Sequence, residues 1–408
     1  RYIQLKETLS LSPIDDHELN FGLEVNQYAM QPEKSTPYGE NSTVVAAEYS
    51  RSTGREMSLF INDEYDLSEK ISLSFGLRGT CYQNLGKAKV FSYQRDTART
   101  ALTITDTTYY GSNKVIKTFG GLEPRVSARF SITPTSSIKM GYNRLRQYIS
   151  LISNTTAPTP VDLWQVATPY ILPQTGDNFS LGYYRNFKEN IFETYLEGFY
   201  KKTKNLVEYK DFAQLLRNDH LETELVEGIG KSYGVELFLR KTRGNWTGWI
   251  AYTYSRSFVK VAESSMQKNI NGGAWYPSNY DKPNAVSIVT NRKVGNNGSF
   301  GFNIIYATGR PVSAITSNYN SNGTVVPVFS GRNQYRIPDY LRFDISLTIG
   351  DIFKKVKDDL TLSIYNLLGR KNAYSVYYQR LGSTPLPESY KLSLLGSALP
   401  SITYNITF

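Results

Sequence analysis

Apolar and polar residues alternate along most of this chain. Within residues 341–349, five apolar side chains are separated by Arg342, Asp344, Ser346 and Thr348. A period of two predicts β-strands whose two faces differ in chemistry. We find about fourteen such segments and no convincing amphipathic helix, although a short helix fits within residues 203–230. The predicted strands span residues 17–28, 56–67, 71–78, 125–132, 137–145, 178–187, 191–202, 231–240, 246–255, 284–292, 299–307, 341–349, 360–368 and 388–408.

The connections between these strands alternate between short and long. If every second connection is short, all short turns lie at one end of the structure and all long loops lie at the other. An outer-membrane up-and-down β-barrel has this arrangement, with short periplasmic turns and longer outer loops. The predicted short turns are 68–70, 133–136, 188–190, 241–245, 293–298 and 351–359, and the long loops are 29–55, 85–120, 146–177, 203–230, 256–283, 308–339 and 369–387.

The second face of the predicted strands carries charged side chains, including Arg125, Arg129, Glu236 and Asp344. A water-filled lumen accepts such groups, whereas lipid would oppose each Arg or Lys at mid-bilayer by about 2–4 kcal/mol. The chain also contains 32 Tyr, and aromatic side chains favour membrane–water boundaries. A large soluble sandwich or propeller is the alternative, because it explains the two faces but not the alternating loop lengths.

Composition narrows the possible functions. The formal charge is +10, which favours an anionic neighbour such as lipid headgroups, but no block of like charge indicates a nucleic-acid partner. Cys81 is the single cysteine, and His17 and His220 are the only histidines, so the sequence predicts no disulfide, metal site, cofactor or catalytic triad. The first residues contain no signal peptide and already look like a strand. We therefore expect the chain to be part of a longer polypeptide.

The last eight residues, SITYNITF, keep the two-residue period to the end. Tyr404, Ile406 and Phe408 share one face, together with Ile402. Counting from the short turn at 351–359, the final strand runs inward and ends at the periplasmic rim. These residues resemble the signal that the outer-membrane barrel assembly machinery reads. The alternative is a strand that simply packs its last residue.

Several stretches in order resemble the TonB-dependent outer-membrane receptors of the Bacteroidetes type, in the C-terminal part of the barrel. The stretches are SLFINDEYDLSEKISLSFGLR (58–78), GLEPRVSARFSI (121–132), SYGVELFLRKTRGNWTGWIAYTYSRS (232–257), TGRPVS (308–313), GRNQYRIPDYLRFDISL (331–347), YNLLGRKNAYSVYY (365–378) and the terminal SITYNITF.

The resemblance implies an all-β transmembrane antiparallel barrel of 22 strands, of which residues 1–408 would form the C-terminal portion. The N-terminal plug, the first strands and the segment that contacts the TonB complex would lie outside this chain. Such receptors take up siderophores, haem, cobalamin, glycans or peptides and convert nothing chemically. The implied partners are outer-membrane lipid and lipopolysaccharide; a surface lipoprotein is compatible with the resemblance but not favoured by it.

Loop residues are the candidates for ligand contact, because binding residues concentrate in loops on a rigid scaffold. One aromatic pair is Tyr148 with Trp164, and a second is Trp275 with Tyr276. Both pairs could equally serve loop packing. The arginines that could attract an anionic ligand are Arg310, Arg332 and Arg336, and their alternative partners are loop carboxylates or lipopolysaccharide phosphates.

Residues Asp15, Asp16 and His17 invite a metal interpretation, but a solvated periplasmic turn explains them better. Two other functions stay open beside gated uptake. The first is an ungated porin-like or structural outer-membrane barrel. The second is an enzyme or a soluble glycan-binding module, for which His220 would be the only histidine in a predicted outer loop.

Overall fold

The computed structural model describes most of the chain. The described residues are 1–14, 16–31, 34–39, 42–43, 46–48, 51–152, 163–215, 218–262, 269–353, 356–379 and 388–407.

Fifteen long strands form one antiparallel sheet in which each strand pairs with the next along the chain. A short strand, Tyr276–Pro277, joins the same sheet beside β10 and brings it to 16 strands. The strands are β1 (Tyr2–Ile14), β2 (His17–Met30), β3 (Ser52–Ser68), β4 (Ile71–Leu85), β5 (Val115–Thr133), β6 (Ser136–Gln147), β7 (Gln174–Phe187), β8 (Phe192–Tyr209), β9 (Leu225–Lys241), β10 (Trp246–Lys260), β11 (Asn284–Val294), β12 (Gly298–Ala307), β13 (Tyr340–Gly350), β14 (Lys357–Tyr365) and β15 (Leu399–Thr407).

The all-β prediction and the alternation of short turns and long loops are confirmed. The structure has fifteen long strands, in agreement with the prediction of about fourteen; the additional one is β1, which lies in the first residues that already look like a strand. The predicted strand 388–408 is in fact two strands, Glu388–Ser393 and β15. Leu395 adopts a positive φ of 51° between them, which interrupts the extended backbone. The predicted helix within 203–230 does not form. Among the described residues of that range, the only helical turn is the 3-10 turn Leu221–Thr223.

The two faces of the sheet have opposite chemistry. Large apolar side chains such as Leu59, Leu181 and Ile402 are exposed on one face. Polar and charged side chains, among them Glu56 and Arg125, occupy the other. An exposed apolar face this extensive fits contact with lipid, and the polar face fits a wet lumen. Among the described residues, no helix is long and apolar enough to cross a membrane.

The long loops contain small hairpins and most of the buried apolar side chains. Because the lumen is polar, the hydrophobic clusters form where loops cover strand ends. One cluster gathers around Val166, a second around Val261 and a third around Ile171. The hairpins pair Lys34–Ser35 with Ala47–Glu48, Ala88–Tyr93 with Ile104–Tyr110, Ile149–Leu151 with Trp164–Val166, Pro311–Val312 with Tyr335–Arg336, Ile315–Ser321 with Thr324–Phe329, and Ala373–Gln379 with Glu388–Ser393.

Gly248, near the start of β10, is a position that requires glycine. Its φ is +141°, and a Cβ there would lie 2.1 Å from the carbonyl oxygen of Val289 on β11. Backbone atoms on the paired strand cannot move aside without breaking the ladder. By contrast, Gly295 also has a positive φ, but a Cβ there would meet nothing within 4 Å.

The closing strand β15 pairs with β14. Tyr404 donates a hydrogen bond from its hydroxyl to Asp358 Oδ2 at 2.7 Å, and Ile406 lies opposite Asp358. Phe408 lies outside the described residues. The role of this strand in assembly therefore stays a prediction. The structure adds that the Tyr404 hydroxyl is held by Asp358.

Candidate functional site

An aromatic stack anchors the loop after β6 to the polar face of the sheet. The rings of Tyr82 and Tyr148 lie parallel, with centroids 4.7 Å apart and an interplanar angle of 6°. The Tyr148 hydroxyl is 2.8 Å from Thr80 Oγ1, and the Tyr82 hydroxyl donates to the Ala167 carbonyl at 3.0 Å. Since Tyr82 projects from β4, residues 148–152 and 163–171 fold back over the inner wall of the barrel at its loop end.

Below this stack the inner wall carries a compact charged cluster. The Arg78 guanidinium donates to Glu24 at 3.0 Å and to Glu56 at 3.1 Å. Tyr28 donates its hydroxyl to the second oxygen of Glu56 at 2.7 Å. Two carboxylates around one guanidinium leave net negative charge facing the lumen.

A second anchor joins three outer loops through Arg332. Its guanidinium contacts Glu208 at 3.3 Å and Asp211 at 2.7 Å, and its backbone N–H donates to Asn271 Oδ1 at 2.7 Å. Burial by itself would lower the pKa of Arg332, but the neighbouring Tyr209, Asp211 and Glu208 raise that pKa overall. Arg332 is therefore a permanent cation that holds loops together.

Asp281 forms the third anchor. Its carboxylate is fully buried and accepts from Arg256 Nε at 3.2 Å and from the Ser257 backbone N–H at 2.7 Å. The Arg336 guanidinium contacts the other carboxylate oxygen and also donates to the Gly309 carbonyl at 2.8 Å. One buried acid thus connects β10 to the loops before β11 and before β13.

A cavity of about 180 Å³ lies between the loops 86–114, 163–173 and 210–224; we call it the loop cavity. Tyr93 donates its hydroxyl to Glu222 at 2.6 Å, and burial together with that carboxylate raises the pKa of Tyr93. Tyr170 donates to the Phe91 carbonyl. The Gln165 side-chain oxygen is buried at the wall of the cavity without a hydrogen-bond partner among the described residues. The cavity thus has a mixed wall, in which apolar side chains such as Phe91 alternate with charged ones such as Arg51, Lys89 and Glu222.

The structure separates the predicted ligand residues into two groups. Tyr148, Tyr276 and Arg332 are buried among protein atoms. The other three are accessible: Trp164 is 45% exposed, Trp275 is 37% exposed, and Arg310 donates to the Tyr374 carbonyl at 2.9 Å. These accessible residues are not gathered in one pocket: Leu163 and Gln165, rather than Trp164, line the loop cavity.

The two histidines have local packing partners. His17 Nδ1 is 3.1 Å from Asp63, and its ring stacks on Tyr65. His220 packs against Phe91 with centroids 4.4 Å apart. Asp15 lies outside the described residues, and within the described part of the chain no three His, Cys, Asp or Glu side chains are placed to hold a metal.

Sequence reasoning missed the residues that organise the loops, among them Asp281, Arg78 and Glu222. Their partners are 22 to 129 positions away, as the pairs Arg78–Glu56 and Tyr93–Glu222 show. No local pattern marks them. The only signal for Asp281 is that it is the single acid in the stretch GGAWYPSNYDKP (272–283).

One antiparallel sheet of up-and-down strands, apolar outside and polar inside, with its long loops at one end, defines the wall of an outer-membrane β-barrel. The sequence profile of the family described as TonB dependent receptor-like, beta-barrel matches residues 2–367. The chain therefore belongs to the TonB-dependent receptor β-barrel family, whose members are outer-membrane transport receptors of Gram-negative bacteria.

Solved structures share the fold at low sequence identity. The ferric yersiniabactin uptake receptor FyuA from Yersinia pestis has a TM-score of 0.60 at 14% identity, over 100% of this chain and 54% of its own. The ferripyoverdine receptor of Pseudomonas aeruginosa has a TM-score of 0.57 at 13% identity, over 99% of this chain and 47% of its own. The ferric-catecholate import receptor Fiu from E. coli has a TM-score of 0.55 at 14% identity, over 100% of this chain and 54% of its own.

The chain thus spans about half the length of these receptors. At such identities the likeness establishes the fold and not the ligand. No protein of curated function matches the sequence.

Proposed function

We propose that this chain forms the barrel wall and outer loops of a receptor for TonB-dependent uptake of a scarce nutrient. The cargo belongs to the siderophore, haem, cobalamin, glycan or peptide classes. The observation that carries the proposal is the family match over residues 2–367, on a sheet whose inner face is polar and whose anchored loops all lie at one end.

The whole receptor, in this proposal, has 22 strands and a plug, and residues 1–408 are its C-terminal portion. The share of the solved receptors that the chain covers, 47% to 54%, supports this division. The TonB complex would act through a segment N-terminal to these residues. The ordered stretches that resemble the Bacteroidetes type support that subgroup, and a surface lipoprotein is a further candidate partner.

We propose that the barrel assembly machinery recognises the closing strand through Tyr404, Ile406 and Phe408. The exposure of Ile406 and the ring of Tyr404 on the apolar face supports this role, because a reader could reach them from the membrane.

For cargo capture we assign the accessible residues Trp164 and Arg310 to ligand contact. Trp275 is left out of this assignment, because its ring lies 4.4 Å from the Lys231 ammonium on the outward face of the barrel wall. The buried residues Tyr148, Tyr276 and Arg332 then hold the loops in position. The exposed indole of Trp164 can stack on a ring or a sugar, and the Arg310 guanidinium can attract an anionic chelate.

The decisive experiment uses the full-length protein from detergent-solubilised outer membranes. Its intact mass and N-terminal residues are measured first, and its conductance is then recorded in planar bilayers. A mass well above 46.3 kDa together with an almost silent bilayer supports a plugged receptor. Large steady conductance of the intact protein would instead establish the ungated pore.

Transport itself is measured with ⁵⁵Fe-labelled ferric catecholate and ferric hydroxamate probes, in cells with and without TonB. For a probe that is taken up only with TonB, Trp164→Ala should lower uptake, whereas Trp275→Ala, on the outward face beside Lys231, should not. Trp246→Ala is the matched control, because Trp246 is similarly exposed but begins β10 at the short-turn end. Equal effects of all three variants would overturn the assignment of ligand contact.

A further inference from the structure

Glu208 and Asp211 share one buried cation. The Arg332 guanidinium lies 3.3 Å from Glu208 and 2.7 Å from Asp211, and it also donates to the Tyr209 carbonyl at 3.1 Å. The Arg332 side chain is 7% exposed and that of Glu208 is 16% exposed, whereas that of Asp211 is 61% exposed. One positive charge therefore faces two carboxylates, of which only Asp211 is well solvated.

This contact lies where three outer loops meet. Glu208 is one residue from the end of the 18-residue strand β8, and about 9–11 residues of a strand cross a bilayer, so Glu208 belongs to the loop end. Arg332 comes from the loop between β12 and β13. Its backbone is held by Asn271 from the loop between β10 and β11, whose Nδ2 donates to the Arg332 carbonyl at 3.0 Å. The contact between Glu208 and Arg332 thus joins all three loops.

Four titratable groups lie near the Glu208 carboxyl, namely Arg332, Asp211, Tyr209 and Tyr276. Arg332 is the cation among them. The hydroxyls of both tyrosines are buried without a hydrogen-bond partner among the described residues, so neither donates to the carboxylate. An ionised Glu208 therefore depends on a cation that Asp211 already neutralises.

Burial makes the ionisation of Glu208 costly. The residue opposite it on β9 is Val226, which is buried in a hydrophobic cluster with Val259. Burial raises the pKa of Glu208 from an ordinary 4.5 to about 7; Arg332 lowers this pKa and Asp211 raises it, but burial has the largest effect. Since the pKa is high only while the loops are closed, closing the loops takes up a proton.

We propose that the contact between Glu208 and Arg332 is a pH-sensitive clamp on the outer loops. With Glu208 protonated, Asp211 alone balances Arg332 and the loops are held together. With Glu208 ionised, a buried negative charge has no cation of its own, and the loops separate more often. The inference concerns the motion of the loops and does not depend on which nutrient is transported.

The sign and the size of the pH effect follow from the two pKa values. The pKa of Glu208 is about 7 in the closed loops, and its ordinary value is 4.5. Closure is therefore most favourable at low pH and weakens as pH rises between these values. From pH 5.5 to pH 7.5, the population of opened loops should rise about 20-fold. A well-solvated ion pair would give the opposite sign, because the cation would lower the pKa of its acid.

Hydrogen exchange measured by mass spectrometry tests the clamp on the full-length protein in lipid nanodiscs. Exchange is compared at pH 5.5 and pH 7.5 after correction for the intrinsic pH dependence of amide exchange. The reporters are the Arg332 amide, which donates to Asn271 Oδ1 at 2.7 Å, and the Asn333 amide, which donates to Ser313 Oγ at 3.2 Å. Both should open about 20-fold more often at pH 7.5.

Three variants separate the clamp from a merely structural contact. Glu208→Gln keeps the shape of the side chain and is always neutral, so protection should stay at its pH 5.5 level at both pH values. Asp211→Asn leaves Arg332 to Glu208 alone, which lowers the pKa of Glu208 and should move the pH dependence to lower pH. Glu224→Gln is the matched control, because Glu224 lies in the same loop but accepts from the Gln214 N–H at 3.3 Å, and it should keep the wild-type dependence.

The proposal is overturned if corrected exchange is equal at both pH values or faster at pH 5.5, or if the pH dependence survives in Glu208→Gln. Heat-modifiable migration on gels checks that each variant is folded. If Glu208→Gln does not fold, the direction of the wild-type change and the displacement in Asp211→Asn still decide. Nutrient uptake is no part of this measurement, so its outcome is distinguishable from that of the transport experiment.

Discussion

The buried carboxylate of Asp281 offers a quantitative test of how the outer loops are held. We consider Asp281→Asn, which keeps the shape of the side chain and an oxygen that can accept from the Ser257 N–H. The substitution removes the negative charge that Arg256 and Arg336 share. Both guanidiniums would then face a neutral amide, in which only the remaining oxygen can accept and the NH₂ group sets donor against donor.

The expected magnitude follows from burial. Removing one partner of a buried ion pair typically costs about 3–5 kcal/mol of stability. Asp281 is 0% exposed, but Arg256 is 26% and Arg336 is 30% exposed, so water can solvate the released cations. We therefore take the lower limit, about 3 kcal/mol, which corresponds to about a 150-fold larger population of opened loops.

Hydrogen exchange measured by mass spectrometry on the full-length protein reports this opening directly. The informative amides are those of Ser278, which donates to Ser257 at 2.9 Å, and Ile337, which donates to Arg310 at 3.1 Å. Both should exchange about 150-fold faster in the variant, while strand amides within the bilayer keep their protection.

Glu193→Gln is the matched control, because it removes an exposed ion pair. Glu193 and Arg240 are 3.4 Å apart, with 39% and 53% of their side chains exposed. Such a pair contributes at most about 1 kcal/mol, so exchange should change less than about fivefold. Unchanged exchange at Ser278 and Ile337 in Asp281→Asn would refute the reasoning that this acid holds the loops.

Three further predictions concern separate parts of the molecule. Gly248→Ala should sharply reduce the yield of heat-modifiable folded barrel, whereas Gly295→Ala, with open space at its Cβ, should assemble normally. Tyr148→Phe should cost about 1–2 kcal/mol in the local stability of residues 163–171, measured by hydrogen exchange, because it leaves a buried hydrogen bond unmade; equal protection in both proteins would contradict this. The Gly309 N–H and a tyrosine hydroxyl hold the pKa of Asp339 below its ordinary 3.8. The stability that the Asp339 carboxylate gives to the Gly309 amide should therefore be complete at neutral pH and lost only as pH falls through that lowered pKa. Hydrogen exchange of the Gly309 amide should accelerate over that pH range, and Asp339→Asn should abolish this pH dependence.

The sequence by itself determined the fold class and the chemistry of the two faces. Period-two alternation is a local property, since successive side chains on a strand point to opposite faces. Turn residues such as Lys188 and Asn190 interrupt it within a few positions, and the structure gives both a positive φ. For this reason the predicted short turns all appear between paired strands, and the differences concern the additional strand β1, the division of 388–408 and the ends of strands.

Only the tertiary structure decided which loop residues are accessible. Tyr148 and Trp164 looked alike in the sequence, but Tyr148 is covered because Tyr82 lies under it from a strand 66 positions earlier. Arg332 is buried because Glu208, 124 positions away, meets it. The alignment of side chains across β6 to β9 likewise depends on the register of four strands. Such contacts join residues whose separation in the chain carries no pattern, so burial, charge pairing and side-chain alignment across strands are settled only when the chain has folded.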